Sequence, residues 1–362
     1  MNRTICLAAA FALAACSDDT AAELDRNAVL RDLSEHVLLP EVRDFDADAR
    51  ALSTATAALC EAPSTERLTA ARDAWRSARR SWERAQVFRA GPMETLRTPS
   101  AVDWYPVDAA AVEALLAGSD PITAGSIESV GANRRGLPGV EVVLFANVDV
   151  GALRDASGPS RRCQYLVAAT GSVSTAATAL ATAWEPSGGG YARAFATAGQ
   201  GSGPAIATTR EAVDAAVNQL IAALDTLQVS RLAAPNGSRN GGTPEPSRAT
   251  SIPSGNSSAE IVAAFEGARA LYTGDLDDHR GMGVTDIVAS RSASLDATVR
   301  AQFDAAARAL AAITLPVDRA VLEERPRVTA AIAALTSLKR TIRVDVANTL
   351  GVTVGFTDND GD

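Results

Sequence analysis

Apolar residues return every third or fourth position along almost the whole chain, the spacing of one face of an α-helix. Leu30, Leu33 and Val37, followed by Phe45, Leu52 and Leu59, mark a first helix that Pro40 bends or restarts. Leu68, Ala71, Trp75, Ala78, Trp82 and Ala85 step by three and four through a second. Ser64 is placed to cap its start, and Gly91-Pro92 to stop it. Cys163, Leu166, Thr170, Val173, Ala177 and Trp184 mark another helix. The glycine-rich stretch "EPSGGGYARAFATAGQGSGP" then divides the chain into halves.

The second half repeats the habit. Val213, Val217, Leu220, Leu224 and Leu227 form one stripe, and Ile261, Phe265, Ala268 and Tyr272 another. Leu295, Val299, Phe303, Ala306, Leu310 and Ile313 form a third, and Val328, Ile332, Leu335, Ile342 and Val346 a fourth. Ala234 to Ser258 is a long polar loop rich in Gly, Pro and Ser, of the kind that is either functional or disordered. It is expected to be cleaved by proteases ahead of the glycine-rich stretch, being longer and nearly devoid of apolar residues. Only "VEVVLF" hints at the alternation of a strand, and it is too short to decide. The pattern predicts an all-α fold of two helical bundle domains, residues 16–205 and 206–362.

The first fifteen residues stand apart. Arg3 supplies a positive start and Ile5 to Ala14 a short apolar stretch, which is a secretory signal rather than a membrane span. "LAAC", ending at Cys16, resembles the lipobox of bacterial lipoproteins. The resemblance implies lipid on Cys16 after cleavage, and Ser17 behind it implies sorting to the outer membrane. The expected location is the periplasm, anchored to the envelope membrane.

The net charge of −9 and the lack of a basic cluster argue against a nucleic-acid partner. Lys339 is the single lysine among many arginines in an Ala-rich chain, a composition bias that gives individual arginines little weight. Beyond Cys6 and Cys16 the chain holds Cys60 and Cys163. In an oxidising compartment the simplest reading joins them, with two separately buried thiols as the alternative.

The segment "RRGLPGVEVVLF" sets one acid, Glu141, inside an apolar run just after a turn. A carboxylate there must be paired, hydrogen-bonded or bound. "GLPGVE" resembles the G-x-H-x-x-E motif of the imelysin family of exported bacterial proteins. Gly136 and Glu141 match, and Pro138 stands where the motif has histidine. "WRSARRSWERAQVFRAGPM", "VDWYP", "IVAAFEGARALYTG" and the ending "VDVANTLGVTVGFTDNDGD" are also similar to family segments, so the resemblance spans nearly the whole mature chain. It implies a two-domain helical fold, a site near the motif at the domain junction and a link to iron acquisition. The peptidase label attached to the family is weakly founded.

In the motif, His and Glu three apart can face one metal or one substrate. Proline offers no donor, only a preset φ for a first helical turn, so a catalytic zinc site is not expected here. Pro138 should open the helix, with Glu141 one turn in and facing a polar cleft. It would accept hydrogen bonds from Arg or backbone donors and contact a ligand, with Gly136 and Pro138 beside it as further ligand-binding candidates; the plainer alternative is a first-turn acid paired with a nearby Arg. Trp82, Gln86 and Arg89 share one helix face. Trp82 reads as core, and the resemblance makes Gln86 and Arg89 candidates for a polar wall of the same pocket.

"GDLDDHRGMG" holds Asp275, Asp277, Asp278 and His279, a set able to bind iron or another divalent ion, though such loops are usually just solvated. His36, the second of two histidines, is expected to close the surface of the first helix, and two histidines exclude a His-rich site. The tail "DNDGD" opens like a calcium loop but lacks its later Glu. No nucleophile elbow, His-Glu-x-x-His, P-loop or dinucleotide fingerprint occurs. These readings favour a lipid-anchored binding or accessory protein in iron acquisition, with iron as the candidate cofactor and iron-uptake proteins as candidate partners. A metallopeptidase acting on exported polypeptides and a structural module of the envelope are the alternatives.

Overall fold

A computed structural model of the chain describes residues 24–145, 148–155, 158–200 and 206–355. Cys16, the signal segment and the "DNDGD" tail lie outside the described residues. Among the described residues the fold is all-α, apart from one short antiparallel pair, Arg154–Asp155 with Gly158–Pro159.

The helices that build the core and position the site, among the described residues, are α1 (Arg26–Leu33), α2 (Leu39–Glu61), α3 (Thr65–Ala85), α4 (Gly136–Phe145), α5 (Arg161–Trp184), α6 (Thr209–Asp225), α7 (Ser257–Thr273), α8 (Ala293–Ala311) and α9 (Arg325–Arg340). Helix α2 packs between α3 and α5, and α8 packs on α9. Helix α3 also packs along α7, which joins the first half of the chain to the second.

The apolar stripes read from the sequence are the buried faces. Leu68, Ala71, Trp75, Ala78, Trp82 and Ala85 of α3 are all buried, and Ser64 caps the helix by accepting the Arg67 N–H at 3.2 Å. Pro40 does restart a helix: Ser34–Leu38 forms a π-helical turn joining α1 to α2. Proline near the first turn of α2 has no hydrogen bond to lose. Two further π-helical stretches, Thr226–Ala233 and Thr341–Val346, continue α6 and α9.

Two expectations change, and one ambiguity is settled. Helix α3 stops at Ala85, ahead of Gly91-Pro92; Gly91 has φ 67° and Pro92 begins a new short helix, Pro92–Thr95. "VEVVLF" is helical, as part of α4. The loop after residue 234 is largely tied down: Thr250, Ser251 and Ser254 all bond residues of the core, and only the tip at 238–243 is uniformly exposed.

Cys60 at the end of α2 and Cys163 at the start of α5 form a disulfide with Cα atoms 5.4 Å apart. Among the described residues, α5 is the one helix long and apolar enough to cross a bilayer. It instead lies against α2, burying Cys163, Tyr165, Leu166, Val173 and Trp184.

Candidate functional site

The turn ahead of α4 sets the position of Glu141. Gly136 opens the helix with φ 72°, and a β-carbon there would lie 2.4 Å from the Val102 carbonyl oxygen. Only glycine tolerates both the conformation and that approach. Pro138 is the third residue of α4, where its preset φ suits the first turn. One turn further, Glu141 is 1% exposed. Its Oε1 accepts the Ser254 backbone N–H at 3.0 Å and the Ser254 hydroxyl at 2.6 Å. Burial raises its pKa to about 7, against the lowering effect of the Ser254 bonds; the nearby Glu260 adds to the rise.

Beside it lies a buried network of charge. Arg79 of α3 is fully buried and is held by three acids: Glu83 at 2.8 Å, Glu260 of α7 at 3.1 Å, and Asp103. Arg231, in the π-helical stretch after α6, meets the same three from another side, Glu83 at 3.1 Å, Glu260 at 3.5 Å and Asp103 at 3.9 Å. Both guanidinium groups stand over the ring of Tyr105, 5.4 and 5.6 Å from its centroid. The remaining lone pairs are shared out. Trp82 Nε1 donates to Asp103 at 2.8 Å, Gln86 to Glu83 at 2.7 Å, and Thr250 to Glu260 at 3.1 Å.

The electrostatics follow from this sharing. Burial opposes charge on Arg79, yet its three acids outweigh the cost and raise its pKa well above the usual value. Burial also works against ionised Asp103 and Glu260, but the two arginines win and hold both pKa values low. At Glu83 burial prevails over Arg231 and Arg79, and its pKa is raised. Two cations thus face three carboxylates, so the network is poised around one net negative charge.

On the far side of Arg231 the network opens into a small cleft of about 60 Å³, lined by Glu83, Gln86, Arg89, Gln219 and Arg231 with apolar Val87 and Leu227. Arg89 lies at the mouth of this cleft, donates to Gln86 and forms no ion pair with a carboxylate among the described residues; burial of its guanidinium lowers its pKa against the pull of Asp103 and Glu83.

The expected site residues are therefore placed as follows. Trp82 is core, fully buried, but its indole N–H serves the network. Gln86 and Arg89 line a cleft, as a polar wall, yet Glu141 is not part of its lining. Glu141 is buried beneath the 250–254 loop, and its link to the network runs through Ser254, Ser251 and the Tyr105 hydroxyl, which lies 3.1 Å from Ser251 Oγ. No arginine pairs with it directly among the described residues; serine supplies its donors. Asp275, Asp277 and Asp278 do not gather around His279. Asp277 points to Arg84 at 3.5 Å, while His279 turns to Asp32 and His36. The loop spreads its carboxylates because Asp277 adopts φ 49° in a tight turn closed by Leu276 and His279.

The donor set around Glu141 does not suit a resident iron or other metal ion. Imidazole and thiolate are absent from it among the described residues. Glu83, Asp103 and Glu260 are already bound by two arginines, whose charge repels a cation.

Arg79, Glu83, Asp103, Tyr105, Arg231, Ser254 and Glu260 went unread in the sequence. A signal existed for the first two: Arg79 and Glu83 stand four apart on the Trp75–Trp82 face of α3, where an exposed helix would not put charge. Asp103 and Tyr105 lie in "VDWYP", and nothing local marks Arg231.

Three comparisons bear on this geometry. The chain is 26% identical over 336 residues to "Iron-regulated protein A" of Synechococcus elongatus, covering 92% of this chain and 88% of that protein. Its fold is similar to the crystal structure of a protein described as an iron-regulated protein A precursor from Parabacteroides distasonis. There the TM-score is 0.78 at 20% identity, over 91% of this chain and 96% of that one. It is similar also to an imelysin-like protein from Psychrobacter arcticum, with a TM-score of 0.71 at 19% identity over 91% and 97% of the two chains. The family model described as Imelysin matches residues 38–342, from the π turn before α2 through α9, and the chain belongs to the imelysin family.

Proposed function

We propose that this protein binds a small anionic ligand at the Arg89–Arg231 cleft and serves iron acquisition as a binding or accessory protein of the cell envelope. The observation that carries the reading is Arg89. It is a cation at the mouth of a cleft that Glu83 also lines; its backbone N–H donates to Gln219 and its guanidinium to Gln86, and it forms no ion pair with a carboxylate among the described residues. Guanidinium and amide groups set side by side suit a carboxylate, which accepts their hydrogen bonds in one plane. The buried network behind them fixes Gln86 through Glu83, so the recognising groups are held in place before a ligand arrives.

The iron link draws on the relatives named above as iron-regulated. Lipid on Cys16 would hold the protein at the periplasmic face of the outer membrane, a reading supported by the lipobox-like "LAAC". A peptidase would need a metal with an open position, or a base that reaches water. Glu141 is the acid of the motif, and it is sealed from solvent by Ser254.

Calorimetric titration of the mature chain with citrate, free and iron-loaded, tests the proposal. Saturable one-to-one binding of either probe is expected. Absence of binding by both, together with metal-dependent cleavage of an unfolded polypeptide, would overturn it in favour of the peptidase.

A further inference from the structure

The chain contains two histidines, 243 positions apart in sequence, and the fold stacks them on each other. His36 lies in the π-helical turn between α1 and α2, and His279 in the tight turn after α7. Their ring centroids are 4.1 Å apart with planes at 14°. One carboxylate, Asp32 at the end of α1, joins both. His36 Nδ1 lies 3.1 Å from Asp32 Oδ1, and His279 Nε2 lies 3.1 Å from Asp32 Oδ2. Among the described residues, this is the group of His, Cys, Asp and Glu ligand atoms that come within 4.8 Å of one another.

We propose that Asp32, His36 and His279 form a binding site for one first-row divalent transition-metal ion, of which Zn²⁺ is the probe.

The donors have the right chemistry. Two imidazoles and a carboxylate make a borderline nitrogen–oxygen set that suits zinc and its neighbours, and leave coordination positions open to water. They also have the right spacing. An ion bound at about 2.0–2.2 Å sets adjacent donors roughly 3.0–3.5 Å apart, which the two nitrogen–oxygen distances meet. All three side chains reach solvent, at 47%, 21% and 30% exposure for His36, Asp32 and His279, so an ion can enter and keep its waters.

The surroundings hold the carboxylate in place. Met282 donates its backbone N–H to Asp32 Oδ2 at 2.6 Å, the kind of outer partner that orients a metal ligand. Between them sits Gly281. A β-carbon there would fall 1.9 Å from Asp32 Oδ2 and 2.3 Å from His279 Nε2, so glycine at that position lets the loop lie directly against the group without displacing either side chain. The residue next to His279, Arg280, turns away and spends its guanidinium on the carbonyls of Asp277 and His279. No cation therefore competes for the carboxylate among these partners.

Binding requires one movement. Parallel stacked rings cannot both hold one ion in their planes, so the more exposed ring, His36, must tilt out of the stack. The facing nitrogens, which donate to Asp32 in the stack, give their lone pairs to the ion while the proton takes the far nitrogen of each ring. The site shares no residue with the Arg89–Arg231 cleft and does not depend on its function.

With two histidines in the chain, the untagged mature protein labelled with ¹⁵N-histidine shows two sets of imidazole signals. Titration with Zn²⁺ should move both sets together and saturate at one ion per chain. His36→Asn and His279→Asn should each weaken binding roughly tenfold or more, with circular dichroism and melting confirming that they fold. Arg89→Gln should bind Zn²⁺ as the parent does. The proposal is overturned if neither set moves, if one set moves alone, if both variants bind as tightly as the parent, or if Arg89→Gln abolishes binding.

Discussion

Ser254 donates both its backbone N–H and its hydroxyl to one oxygen of Glu141, 113 residues earlier in the chain. The motif acid of α4 thereby fastens the loop that precedes α7, and the loop in turn seals the acid from water. The bond answers why an apolar run carries one carboxylate: it receives polar partners from the second half of the chain in place of an ion pair.

The first prediction concerns pH. Burial raises the Glu141 pKa to about 7 from an unfolded value near 4.5. As pH rises through that window the unfolded chain gives up its proton before the folded one does, so Glu141 removes stability as pH rises, by roughly 3–4 kcal/mol once both forms are ionised. Glu141→Gln keeps an oxygen for Ser254 and abolishes the effect. The difference in Tm between variant and parent should grow in the variant's favour from pH 5 to pH 8. Glu41, raised to about 8 by burial despite Arg84, titrates alike in both proteins and cancels. A variant that loses stability equally at every pH would contradict this account.

The second concerns the network. Arg79→Met removes the cation shared by Glu83, Asp103 and Glu260 and leaves buried carboxylates short of partners. The loss should be about 3–5 kcal/mol near neutral pH and should shrink on acidification, as the acids take up protons. Adding Glu260→Gln should recover part of it. Denaturant melts at pH 5 and 7.5 give the comparison, and equal loss at both would show that Arg79 acts only through packing.

The all-helical fold was legible because the 3.6-residue period is strong: the stripes on α3, α5, α6, α7 and α8 are the buried faces. Much of the site was not. Discounting arginines as a composition bias hid Arg79 and Arg231, whose importance lies in what faces them across the helix junction. Sequence spacing along one helix cannot reveal that Glu260 of α7 reaches Arg79 of α3. The count of two histidines speaks against a His-rich site but gives no sign that the two meet, which only the packing of the 274–283 turn on α1 reveals. Gln86 and Arg89 were singled out through the family resemblance, although α3 ends at Ala85 and they lie beyond it rather than on one helix face; the partition of Glu141 from their cleft was not legible, because Ser254 comes from a distant loop.

The disulfide closes a span of 103 residues between α2 and α5. The chain-entropy argument gives an upper figure of about 4–5 kcal/mol for its loss. Replacing both cysteines by serine should lower stability by up to that amount, and alkylation should find no thiol at either position before reduction. Ready labelling of Cys60 in the folded, unreduced chain would refute the pairing.

Limited proteolysis should now begin at the tip at 238–243 and spare residues 250–254. The tip is exposed and holds Arg239, whereas Thr250, Ser251 and Ser254 are bonded to Glu260, Tyr105 and Glu141. Brief trypsin treatment should give a first cut after Arg239, located by mass spectrometry of the two fragments. First cleavage inside α8 would mean that helix is not the packed element described here.

The central claim is that Arg89 recognises a ligand while the buried network behind it only holds the frame. It is tested most directly by measuring citrate affinity and melting temperature together for Arg89→Gln and the parent. Because Arg89 lies at the mouth of the cleft and forms no ion pair with a carboxylate among the described residues, the account predicts a loss of affinity of about tenfold or more with Tm almost unchanged. Unchanged affinity, or a fall in Tm that accounts for the lost binding, would contradict it.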